Sequence, residues 1–338
     1  MQFIASVAQY LNFQGRVQAT LTNEMQLDTP LVIPVFSRLV MNGPASVNIT
    51  VPSPSVLRTY TKLELDMTLD CAGPMDSSCP AWDRILQVFV ACQGNPLGEQ
   101  ELGRWITPFG RRVGRWLTDA TPLLPLLFPG SASGTSSTTC TFSITVGTSE
   151  NWVPSFSLRL LKVHGQTGAS LVPTQVLPLY TGFVTFNQTY NDRAPVSFAV
   201  PPQTVKVLLY TVITGHGSDN LNCAEFCVTS HSFRFNDLSH AWNQTFDEAG
   251  TQLGCSRHVV QGVEPNEYGT WLYGRDGWCD GLQVTPYVMD VTNDLSFTAN
   301  NTLVYRGLYN GTDPNPTNDN AYMVLATYLS FLTNPTTL

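Results

Sequence analysis

Apolar and polar residues alternate with a period of two along most of the chain. Between residues 62 and 70, Leu63, Leu65, Met67 and Leu69 fall on one face while Lys62, Glu64, Asp66, Thr68 and Asp70 fall on the other, as a strand with one buried face requires. The alternation recurs at 142–146 and 156–160, and further strands are predicted at 85–90, 205–210, 231–235 and 322–328. Helical periodicity hardly occurs, and 25 Gly and 23 Pro punctuate the short strands. The pattern predicts an all-β chain of antiparallel sandwiches or jelly rolls. Residues 1–45 are polar and weakly periodic, and are read as an N-terminal extension without an assigned role.

With 338 residues the chain is long enough for two cores. The boundary is expected at His164-Gly165-Gln166-Thr167-Gly168, giving domains over 46–165 and 170–338 with four cysteines each. The run Ser131 to Thr139 is of low complexity and is read as a long surface loop of the first domain, closed where Cys140 begins a strand. Met1 to Gln9 lack a basic start and a continuous apolar run, so they make a poor signal peptide, and numbering that begins after cleavage is one reading. No stretch is apolar for long enough to predict a membrane helix.

Composition narrows the function classes. Only 12% of residues are charged and the net charge is −8, which argues against a nucleic-acid partner. Eight cysteines, two pairs of them closely spaced, fit a disulfide framework made in an oxidising compartment, and hence a secreted protein. The expected pairs are Cys71–Cys79, Cys92–Cys140, Cys223–Cys227 and Cys255–Cys279. Sequons at Asn48, Asn187, Asn243, Asn300 and Asn310 fit the same compartment. The five histidines are scattered, so with the cysteines paired no metal set and no cofactor is expected.

Three stretches carry candidate chemistry. Cys79-Pro80-Ala81-Trp82-Asp83-Arg84 mounts an acid, an arginine and an indole between a disulfide and a strand, where rigid support meets an exposed loop. Cys223-Ala224-Glu225-Phe226-Cys227 must curl for its bridge to close, because disulfide geometry needs Cα atoms within about 7 Å, and the curl presents Glu225 at its apex. Gly274-Arg275-Asp276-Gly277-Trp278-Cys279 repeats the inventory. Taken singly, Asp83 with Arg84 reads as a structural ion pair, Arg275 with Asp276 as a surface pair, and Trp278 as core. Together, acids, arginines and indoles beside disulfides in both halves are the groups that grip a sugar.

These motifs, with Gly103-Arg104-Trp105-Ile106-Thr107-Pro108 and Glu150-Asn151-Trp152, resemble the peptide-N-glycosidase F type amidases, which cut N-glycans from asparagine. The resemblance covers roughly residues 46–330. It implies two adjacent eight-stranded jelly rolls with the active site in the cleft between them. It further implies Asp83 as the principal catalytic acid, Glu225 and Glu150 as its partners, and Trp82, Arg84, Trp152, Arg275 and Trp278 as substrate contacts. Phe226 stands where the family has tryptophan, the first bridge encloses a longer loop, and Cys92 and Cys140 lack a family counterpart. The implied partner is an N-linked glycoprotein or glycopeptide, met by a monomer with no membrane involvement. A copper monooxygenase would need clustered histidines, which the chain lacks. A glycan-binding or structural surface or virion protein of the same fold is the alternative.

Overall fold

The computed structural model describes residues 2–27, 29–111, 114–129, 136–147, 150–162, 171–217, 223–236, 239–316 and 320–334. The chain forms two compact units. The first comprises residues 1–174, 255–272 and 279–284, and the second comprises 175–254, 273–278 and 285–338. Two short segments from late in the sequence thus belong to the first unit. The boundary expected at 164–168 and residues 131–135 of the low-complexity loop lie outside the described residues.

In the first unit, strands β1 (Leu31–Phe36), β2 (Ala45–Val51), β3 (Lys62–Cys71), β4 (Ile85–Cys92), β5 (Gln100–Ile106), β6 (Gly114–Asp119), β7 (Thr138–Val146) and β8 (Trp152–Leu161) make two four-stranded antiparallel sheets. Their orders are β1-β8-β3-β6 and β2-β7-β4-β5, a jelly-roll arrangement. The alternation read in β3 buries Leu63, Leu65, Met67 and Leu69 completely. Its polar face departs from expectation, for Glu64 and Asp66 are buried as well. Cations make that tolerable: Arg115 grips Asp66 with two bonds of 2.9 and 2.7 Å, and Lys62 and Arg159 pair with Glu64. Cys92 and Cys140 face each other in the β4–β7 register and are bridged, as are Cys71 with Cys79 and Cys255 with Cys279.

The first residues are not featureless. A helix, α1, spans Gln2–Leu27 and buries Ser6, Tyr10, Val17 and Leu21, a stripe only one residue wide. Gln14 donates to the Arg115 carbonyl at 3.3 Å and Glu24 pairs with Arg159, which ties the helix to β6 and β8. Strand β1 also falls within the stretch read as an extension, pairing with β8 from Leu31 opposite Leu160.

In the second unit, β9 (Val172–Thr185), β10 (Val196–Phe198), β11 (Thr204–His216), β12 (Thr229–Phe235), β13 (Trp242–Thr245), β14 (Tyr287–Asp290), β15 (Asn301–Tyr309) and β16 (Tyr322–Thr333) form sheets ordered β14-β11-β16-β9 and β10-β15-β12-β13. Each unit therefore has eight strands among the described residues. Phe186, Tyr190, Leu209, Phe233, Tyr305 and Phe331 fill the second core. Cys223 and Cys227 are bridged with Cα atoms 5.4 Å apart.

Candidate functional site

The first-unit cluster is assembled where β4 and β5 begin and end. Thr107 Oγ1 accepts the Arg84 amide at 2.7 Å and donates to the Trp82 carbonyl at 2.8 Å, so one hydroxyl clamps both neighbours of Asp83. The Arg84 carbonyl accepts the Thr107 amide at 2.9 Å. The guanidinium of Arg84 reaches across to Glu150, Nε to Oε1 at 2.9 Å, and lies 5.7 Å from the Trp82 ring centre. The other Glu150 oxygen accepts Trp152 Nε1 at 3.3 Å. Trp82 is 57% exposed, whereas Trp152 is fully buried. The two indoles therefore differ in what they can do: Trp82 can offer a ring face to a ligand, and Trp152 holds a carboxylate from behind.

The second-unit cluster hangs on two crossing loops. The Glu225 amide donates to the Gly217 carbonyl at 3.1 Å, and the Glu225 carbonyl accepts the Asp276 amide at 2.8 Å. The curl that the bridge imposes is thus fastened at both of Glu225's backbone groups. Its carboxylate lies 3.5 Å from Arg275 Nε, and the Arg275 guanidinium lies over Trp278 at 4.7 Å and Phe226 at 5.4 Å. Trp278 Nε1 donates to the Gly215 carbonyl at 2.8 Å, and its ring stacks on His216, which stacks in turn on Tyr322. Gly215 has no substitute here, since a Cβ would meet the Ala224 carbonyl at 2.1 Å and Asp276 Oδ2 at 2.3 Å. Arg275 and Trp278 are both nearly buried.

Beneath this loop lies a feature that the sequence reading missed. Asp276, read there as half of a surface pair, has no exposure at all. Its carboxyl meets Thr229 Oγ1 at 2.8 Å, Thr229 Oγ1 meets His231 Nε2 at 3.0 Å, His231 Nδ1 meets the Tyr305 hydroxyl at 2.7 Å, and that meets the Tyr190 hydroxyl at 2.7 Å. Burial pushes the Asp276 carboxyl well above its ordinary pKa and holds His231 down to about 3. Burial thus favours the protonated carboxyl and the uncharged imidazole. Thr229 Oγ1 donates to the Asp276 carboxyl, and each further link joins groups that can donate or accept. One signal was legible: Thr229, His231, Phe233 and Phe235 occupy alternate, inward positions of β12.

Among the described residues no three His, Cys, Asp or Glu side chains gather as a metal-ligand set. What the two clusters present instead is a pair of carboxylate–arginine–indole groups on disulfide-pinned loops of jelly-roll units. Carboxylates, arginines and indoles in such groups are the side chains that polyhydroxylated ligands engage.

Comparison with known proteins finds relatives of one kind. Residues 185–330 match the family model for the C-terminal domain of peptide-N-glycosidase F. The peptide-N(4)-(N-acetyl-beta-D-glucosaminyl)asparagine amidase F of Elizabethkingia miricola is 26% identical over 300 residues, covering 82% of this chain and 75% of its own. The structure of PNGase F from Flavobacterium meningosepticum, a glycosylasparaginase, superposes with a TM-score of 0.66 at 20% identity over 91% of this chain and 97% of that one. PNGF-II superposes with 0.63 at 16% identity, covering 93% of this chain and 67% of its own. The chain is thus similar to peptide-N-glycosidase F over most of its length, and shares its fold.

Proposed function

We propose that the chain is an amidohydrolase that cleaves the amide between asparagine and the first N-acetylglucosamine of an N-glycoprotein or glycopeptide. Water adds to the carbonyl, the amine leaves with a proton, and the products are an aspartyl peptide and a glycosylamine that decays to ammonia and free glycan. The relative's amidase activity and the motifs shared with the family support this reading. The observation that carries it is the paired construction of the two clusters, each with a carboxylate against an arginine.

Roles follow from chemistry. Asp83 handles the water or the proton at the scissile bond, where a general acid–base group contributes about 10²- to 10⁴-fold. Glu150 is held between Arg84 and Trp152, which fixes both of its oxygens for a sugar contact. Glu225 positions the first sugar or a bridging water, with Arg275 as its cationic neighbour. Arg84 supplies positive charge near the developing oxyanion. Trp82 offers the exposed indole, while Trp278 acts on the sugars through the Arg275 that it stacks against. Four disulfides suit an oxidising compartment, and we infer a secreted monomer.

The test is Asp83→Asn incubated with a denatured N-glycoprotein, scored by gel mobility and by mass spectrometry for conversion of asparagine to aspartate. The wild type should release glycan and the variant should not, with both unfolding at the same temperature. An active but destabilised variant would make Asp83 a structural residue. Binding of glycan by the wild type without release would favour a binding protein instead.

A further inference from the structure

In the first unit, three aromatic rings run outward from the neighbour of Asp83. Trp82 meets Phe109 edge to face with centroids 5.8 Å apart, and Phe109 meets Tyr268 in the same manner at 5.5 Å. Trp82 is 57% exposed and Tyr268 61%. Aromatic rings left open to water in a row are costly unless something covers them. The row is also rigidly mounted. The buried Asp280 accepts the Phe109 amide at 3.0 Å on one oxygen, and Thr270 Oγ1 at 2.5 Å and Asn266 Nδ2 at 3.3 Å on the other. Asn266 Oδ1 in turn accepts the Tyr268 amide at 3.0 Å. One buried carboxylate thus fastens the loops of two of the rings, and Thr107 fastens the loop of the third. Gly110, in the left-handed region at φ 62°, lets the Tyr268 ring lie against the backbone, where a Cβ would be 3.1 Å away.

We propose that this row is a pyranose subsite for the part of the glycan that extends beyond the sugars next to the scissile bond, an inference that rests on the hydrolase reading. Three observations choose a sugar over a peptide as the occupant. The row is continuous with Trp82, which flanks the catalytic acid. Its rim is polar and the cation there is already engaged, with Arg111 paired to Asp76 at 2.7 Å and near Glu267 at 3.9 Å, which suits an uncharged polyhydroxylated ligand better than an anionic one. Rigid aromatic faces match the apolar C–H face of a pyranose at little entropic cost.

The experiment compares Tyr268→Ala with wild type on two glycopeptides of one peptide sequence, one carrying a full-length neutral oligomannose glycan and the other only the two innermost N-acetylglucosamines. An aromatic contact is worth about 0.5–1.5 kcal/mol. The ratio of kcat/KM for the full glycan over the truncated one should therefore fall about 2- to 12-fold in the variant, through KM, and Tyr268→Phe should restore it. An unchanged ratio would overturn the proposal, as would an equal loss on both substrates, which would place the peptide on the row. Binding of free oligomannose, measured by titration calorimetry, separates this result from failure of the hydrolase reading. Wild-type binding that weakens in Tyr268→Ala supports the subsite even in a protein that hydrolyses nothing, and no wild-type binding overturns it.

Discussion

Replacing Asp276 by Asn should stabilise the protein progressively as pH rises. The carboxyl is fully buried and its pKa lies well above 3.8 in the folded state, chiefly through desolvation. In the unfolded chain the group ionises near 3.8, so above that pH the folded state retains a proton that the unfolded state releases. Stability then falls with rising pH by about 1.4 kcal/mol per unit until the folded pKa is reached. Asparagine keeps the shape and an oxygen to accept from Thr229 but cannot ionise. The unfolding free energy of Asp276→Asn minus that of wild type should accordingly grow as pH rises above about pH 4, by at most about 1.4 kcal/mol per unit, and level off at the folded pKa. The difference is the right quantity because other buried groups titrate in the same range. His231, held down to about 3 from 6.5, binds its proton only on unfolding, so its contribution rises with pH through that window and opposes that of Asp276. Glu264, raised by burial, slopes the same way as Asp276. Both are common to the two proteins. Urea unfolding of each at half-unit steps measures the difference, and a difference independent of pH would refute the upward shift of the buried carboxyl.

Two further outcomes test other parts of the structure. Glu150→Gln removes the charge that Arg84 faces at 2.9 Å but keeps the acceptor for Trp152, so kcat/KM should drop about 10-fold or more while stability changes by less than about 1 kcal/mol, as for a half-exposed pair; normal kinetics would remove Glu150 from the site. Leu21→Asp on the buried stripe of α1 should cost about 1–3 kcal/mol and lower the thermal midpoint, while Gln18→Asp on the exposed face should be nearly neutral; equal effects of the two would mean that the helix is not docked by that stripe.

The strands were legible because their signal is local. Alternation in 62–70, 142–146 and 156–160 reports which face is buried, and β3, β7 and β8 form there. Helix α1 was not legible, since its burial rests on Ser6, Tyr10, Val17 and Leu21, about one residue per turn and two of them bearing hydroxyls. A stripe so narrow leaves the sequence polar on average. The same limit explains Glu64 and Asp66: period two assigned them to a wet face, but Arg115 and Arg159 arrive from 49 and 95 residues away to cover and neutralise them. Long-range partners of charged groups leave no trace in local spacing.

In the two candidate clusters, sequence singled out acids, arginines and indoles but could not tell their orientations apart. Trp82, Trp152 and Trp278 read alike as plates for a sugar, yet the indole N–H sorts them. Trp152 spends its Nε1 on Glu150 and Trp278 spends its own on the Gly215 carbonyl, which draws both rings inward, and only Trp82 keeps more than half its surface in water. A buried indole needs a partner for its one donor, and that partner was invisible until the chain folded. The consequence reaches function. The two inward rings back Glu150 and Arg275 with little or no exposure of their own, so the aromatic surface proposed for a ligand begins at Trp82 and continues along Phe109 and Tyr268, two residues that no motif marked.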